Sequence, residues 1–157
     1  MSKMMILLIL GFSSSRGFAE QGIDSKVQKK SLVIISSTKD YSSALRVAQD
    51  ASKKTAIPLN LRDLSENKKT GLSFSNKICM EGPVQEYPCY QKRGKFDDGK
   101  YISIEYSSNY TEMAPNLYIV IAYSGSDVNE SKSTLEKVKS FYNDAFQKNV
   151  KIYMAGE

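Results

Sequence analysis

The sequence predicts an α+β fold: two β-α-β units whose strands form one antiparallel-type sheet, with both helices on one face. Two observations carry this. The stretch Asn116–Met154 reads as an apolar strand, an amphipathic helix and an alternating strand. A weaker copy of that order runs from Ser31 to Leu64. A third observation shapes the rest: two cysteines and two prolines fall within residues 76–99, between the copies, in a stretch without clean periodicity.

The chain has 157 residues, enough for one domain. Residues 1–19 read as a cleavable leader. Lys3 gives a positive start, Met4–Phe12 is a short apolar run, and Gly17 and Ala19 are the small residues before a cut after Ala19. The run is short of the roughly 20 apolar residues that span a bilayer. Export is therefore expected, to the periplasm or outside the cell, with no membrane span after cleavage. The leader removes two of the 22 basic residues and none of the 17 acids, so net charge falls from +5 to +3. The Lys29-Lys30, Lys53-Lys54, Lys68-Lys69 and Lys92-Arg93 pairs read as solvated surface. Export argues against a nucleic-acid partner, and the mild basic balance suits an anionic surface or wall polymer.

Residues 20–30 are polar and read as a flexible arm. Leu32–Ser36 is β-branched and apolar, which suits a central strand. Thr38-Lys39-Asp40 supplies helix-start residues. From Tyr41 to Lys54, Ala44, Leu45, Val47, Ala48 and Ala51 make a narrow apolar face, and Lys53 and Lys54 suit the helix C-terminus. Pro58 stops that helix, and Leu59–Arg62 alternates as a short strand. An insertion of about 65–115 follows. Glu66–Thr70 is a charged loop, Gly71–Ser75 a short strand, and 76–99 irregular.

Cys79 and Cys89 lie close together, and in an oxidising compartment they are expected to pair. Closing a loop of this size stabilises by about 2–3 kcal/mol in the chain-entropy account. The spacing is not that of a C-x-x-C redox pair. Tyr101–Tyr106 alternates strictly, with Ile102, Ile104 and Tyr106 on one face and Tyr101, Ser103 and Glu105 on the other. Leu117–Tyr123 is apolar on both faces, as a central strand is. Asp127 with Glu130 has capping-box spacing. Leu135, Val138, Tyr142 and Ala145 form the helix's buried stripe, flanked by Phe141 and Phe146, with the helix end at Asn143-Asp144. Val150, Ile152 and Met154 then point one way.

Histidine is absent. That excludes Ser-His-Asp and Cys-His catalysis and histidine-ligated zinc. Carboxylate pairs remain: Glu105 with Glu112, or Asp97 with Asp98. Asp97-Asp98-Gly99 reads better as a turn. No catalytic motif is present, so the chain is expected to be non-enzymatic and to need no cofactor or metal. The Asn109 and Asn129 sequons carry no weight in this context.

The unit SLVIISSTKDYSSALRVAQDASKKTAIPLNL and the unit NLYIVIAYSGSDVNESKSTLEKVKSFYNDAF each resemble a half of a SPOR domain. Each has a hydrophobic strand ending in small polar residues, a turn, and an Ala/Leu/Val helix. The resemblance covers two stretches of about thirty residues. The chain departs from that pattern in its Cys79–Cys89 insertion and in carrying a cleavable leader in place of a membrane anchor. The resemblance implies an exported module that binds septal peptidoglycan glycan through the open face of its sheet. On that face the candidates are Tyr101 and Tyr118 for stacking, and Ser36, Arg62, Ser103 and Glu105 for hydrogen bonding. Size, leader and disulfide fit equally a protein inhibitor of immunity type, whose partner is a toxin or a cell-wall hydrolase.

Overall fold

The structure is a computed structural model that describes residues 27–83 and 85–154. The leader and residues 20–26 of the arm lie outside the described residues. Strand β1 (Val27–Thr38) leads into helix α1 (Tyr41–Thr55). A hairpin of β2 (Ser65–Asn67) and β3 (Gly71–Ser73) follows, then a short helix α2 (Asn76–Glu81). Strand β4 (Gly99–Tyr106), strand β5 (Tyr118–Gly125), helix α3 (Val128–Lys139) and strand β6 (Phe146–Tyr153) complete the chain.

The main sheet has the order β4-β5-β1-β6, and every neighbouring pair is antiparallel. β1 and β4 therefore run parallel with β5 between them, and β5 and β6 run parallel with β1 between them. These are two interleaved split βαβ units, the ferredoxin-like arrangement. The apolar runs fall on the two central strands, β1 and β5, as expected from strands buried on both faces.

Several expected elements differ: β2 and α2 form where a charged loop and an irregular stretch were expected. Val27–Lys30 is not part of an arm; it pairs with β6 from Val27↔Tyr153 to Lys30↔Val150. Leu59–Arg62 makes no strand; Leu59 forms a single parallel bridge to Ile102. The partner strand of the first unit is instead β4, reached after the whole insertion. Pro58 O accepts from Ile102 N at 2.7 Å and Asn60 N donates to Ile102 O at 2.8 Å, so this segment covers the outer edge of β4.

Helix α1 starts where Asp40 accepts a hydrogen bond from Ser43 N at 2.7 Å, and stops where Ala56 turns left-handed. Ala44, Ala48 and Ala51 are fully buried, so α1 approaches the sheet closely. Asp127 caps α3 by accepting from Asn129 N and Glu130 N. This helix ends at Lys139, short of Asn143. Tyr142 and Ala145 still reach the core, from the loop that follows. Both helices pack with Val33, Ile35, Ile102, Ile104, Val120 and Ala122 on one face of the sheet.

The opposite face carries Leu32, Ile34, Ile119, Ile121, Val150 and Ile152. Tyr110 and Met113 cover part of it. The insertion covers another part as it passes beneath the sheet at Gly94, whose backbone is left-handed and where any Cβ would press on Ser124 and Ile152. The Lys30–Asp98 ion pair fixes the insertion to β1. The Cys79–Cys89 disulfide is formed, and Phe74 N donates to Cys89 O at 3.0 Å beside it.

Candidate functional site

The six residues expected to share one ligand face divide between the two faces. Register explains the split. Tyr106 pairs with Tyr118 and Glu105 with Ile119, so Tyr118 shares the helix-side face of Tyr106. There its ring packs edge-on to Tyr41 at 5.4 Å and near Tyr106 at 5.2 Å, and its hydroxyl donates to Gly71 O at 3.1 Å. Ser36, opposite Val120, is also on the helix side. Tyr101, Ser103 and Glu105 face the other way, and Arg62 reaches them around the β4 edge.

Those four residues are brought together, and they are closed over. Glu105 and Ser103 are fully buried. Arg62 Nη1 donates to Glu105 Oε1 and Oε2 at 2.7 and 2.9 Å, its Nη2 to Gln91 O at 2.9 Å, and its Nε pairs with Asp97 at 2.8 Å. Tyr90 OH and Arg93 N also donate to Glu105 Oε2. Arg93, read from sequence as half of a surface pair, is completely buried. Its guanidinium donates to Tyr101 O at 2.8 Å, Ser103 Oγ at 3.0 Å and Gly99 O at 2.6 Å, and stacks 3.5 Å over the Tyr101 ring. Tyr110 OH donates to Arg93 O at 3.2 Å.

The electrostatics follow from burial against pairing. Burial pulls Arg62 down, but the charge and hydrogen bonds of Glu105 and the charge of Asp97 outweigh it, and its pKa is raised. Burial lowers that of Arg93. Burial first, and Glu105 second, pushes the Tyr90 and Tyr110 hydroxyls far up. Burial takes Tyr101 to about 12. Both oxygens of Glu105 are thus occupied by protein donors. The cluster binds the insertion to β4.

One open cleft of about 420 Å³ lies beside the disulfide, between Phe74, Ile78 and Tyr90; further accessible ground lies at the other end of the sheet, around Phe146. Sequence periodicity placed Phe146 on the flank of a helix stripe; it is the first residue of β6 and 46% exposed. On the far face, a groove of about 210 Å³ is floored by Ile34, Ile119 and Phe146 and walled by Met113, Leu117 and Lys148. Glu112 lines it too. Its Oε1 accepts from Lys151 N at 3.0 Å, while its Oε2 is buried with no hydrogen-bond partner. Burial raises the Glu112 pKa, but the Lys151 amide, its own amide and Thr111 outweigh this and hold it below the usual carboxylate value. On the helix side a second cleft, about 410 Å³, lies between the end of β1 and the loop after α3. Of the residues singled out from sequence, Ser36 lines the second cleft and Glu112 the groove; their neighbourhood was not legible, because it forms only where Phe146, the end of β1 and the loop at Glu112 meet.

Among the described residues no cluster of His, Cys, Asp and Glu could hold a metal ion, and no helix is long and apolar enough to cross a membrane. Comparisons with protein-family models, curated proteins and solved structures find no match to this chain.

Proposed function

We propose that this chain is an exported, non-enzymatic binding module that recognises cell-wall glycan at the groove beneath Phe146. One observation carries the reading: the groove joins an exposed aromatic ring to a buried carboxylate oxygen that lacks a donor. A pyranose offers both complements, an apolar face for the Phe146 ring and hydroxyl donors for Glu112 Oε2. Lys148 and Ser37 add a cation and a hydroxyl at the rim. The likeness to SPOR halves supports peptidoglycan as the glycan, with the ligand on the part of the far sheet face that the insertion leaves uncovered. The non-enzymatic reading is supported by Glu105, whose oxygens are held by Arg62, Tyr90 and the Arg93 amide.

The test is co-sedimentation with insoluble peptidoglycan sacculi, with and without amidase treatment. The protein is expected to pellet, best with treated sacculi. Phe146→Ala and Glu112→Gln are each expected to weaken binding by about tenfold, near 1.4 kcal/mol. Absence of the unaltered protein from both pellets removes the reading.

The exposed rings of Phe141, Phe146 and Tyr153 favour a second reading, a protein inhibitor of immunity type that blocks a toxin or a wall hydrolase. A tight one-to-one complex with such a protein, lost in Phe141→Ala, would support it over the glycan.

A further inference from the structure

β1 is longer than the strand beside it. Its pairing with β6 ends at Ile34↔Phe146, yet β1 continues to Thr38, paired only with β5 through Ser36↔Val120, Ser37↔Ile119 and Thr38↔Tyr118. Beyond Ile34, the β6 side of β1 has no strand against it. An unpaired strand edge is a template for another chain. The edge opens into the cleft of about 410 Å³, where Ile35, Ser36 and Ser37 face Tyr142, Asn143 and Asp144 across the flank of Phe146. Ser37 is exposed, so the edge is accessible.

Two features give the cleft a chemical preference. Ser36 Oγ is buried and has no hydrogen-bond partner. Asp144 is the only charged residue lining the cleft, and no ion pair occupies it. The Tyr142 hydroxyl is already committed, donating to Asp50 at 2.6 Å, so that ring serves as a wall. A strand edge, an unsatisfied hydroxyl and a lone carboxylate together suit an extended chain bearing a cation.

We propose that this cleft binds an extended peptide segment of a partner protein, added to the end of β1, with a lysine or arginine side chain beside Asp144. Main-chain hydrogen bonds along Ser36–Thr38 hold the segment. Alternate side chains of an extended peptide point to opposite faces, so one of them enters the cleft. The site lies across Phe146 from the glycan groove, shares Ser37 with that groove's rim, and uses neither Glu112 nor Lys148.

The experiment records amide shifts of the ¹⁵N-labelled protein during titration with three pentapeptides: Ac-Val-Lys-Val-Lys-Val-NH2, its Lys-to-Glu counterpart, and a version of the first with proline at the centre. The lysine peptide is expected to shift the amides of Ser36–Thr38 and of Asn143–Phe146. Proline, which lacks the main-chain donor, and the exposed substitution Asp144→Asn are each expected to weaken binding at least about fivefold. The inference is overturned if no peptide moves those amides, or if the glutamate peptide binds as tightly as the lysine peptide.

Discussion

The helix side of the sheet and the β4 end of its far face are closed by opposite chemistry. On the helix side, small and branched apolar residues of α1 and α3 meet Val33, Ile35, Ile104 and Val120. On the far side, where β4 lies, two arginines, a glutamate, an aspartate and three tyrosines replace that packing. The first kind of closure is non-directional and tolerates loss of a methyl group. The second depends on each partner being present, because a buried charge without its counterpart is expensive. The difference separates a fold that two helices could complete from an insertion that only specific pairs hold in place.

The largest effect should come from breaking the charged side. Glu105→Ala leaves Arg62 Nη1, the Tyr90 hydroxyl and the Arg93 amide without their acceptor, and is expected to cost about 3–5 kcal/mol in denaturant unfolding. Glu105→Gln keeps the shape and part of the hydrogen bonding, so it should cost less. Equal costs for the two would mean that the charge is immaterial. Replacing Cys79 and Cys89 by serine comes next, at about 2–3 kcal/mol or less. Hydrogen exchange should then quicken around Phe74 and Cys89 while the helix-side amides hold; a uniform loss would make the two faces one cooperative unit.

Alkaline pH provides a third test. Burial raises Tyr101 and Tyr118 to about 12 and also lifts Tyr90 and Tyr110 well above the usual tyrosine value. Their folded pKa values exceed the unfolded value near 10. The associated stability is therefore complete below about pH 10 and declines as pH rises toward 12. Unfolding followed by circular dichroism across that range should show the decline, and a flat profile would place these hydroxyls in solvent. The smallest effect belongs to the apolar side. Ile104→Val, with the parent side chain almost fully buried, is expected to cost about 1 kcal/mol and to leave the insertion protected.

The helix side could be read from sequence because its signals are local. The β1 and β5 runs, the alanine face of α1 and the alternation of β4 each repeat within a few residues. The other side could not, because its partners are distant in sequence: Arg62 and Glu105 are 43 residues apart. Arg93 looked like a surface cation beside Lys92. A glutamate on the alternating face of a buried strand was the one hint that a cation must cover it. Leu59–Arg62 misled because four alternating residues match a strand equally whether they join a ladder or, as here, make one bridge and turn. At Phe146 the apolar spacing of α3 continues past Lys139, so the start of β6 was hidden within it.

The insertion belongs to the folded core of the far face, held there by Glu105. The Arg93 amide reports on it directly, since it donates to Glu105 Oε2 at 3.2 Å. Native-state hydrogen exchange should find that amide protected in the unaltered protein. In Glu105→Ala it should exchange rapidly while the amides of α1 remain slow. An Arg93 amide that already exchanges rapidly in the unaltered protein, or one whose protection survives Glu105→Ala, would mean that Glu105 does not hold the insertion in place.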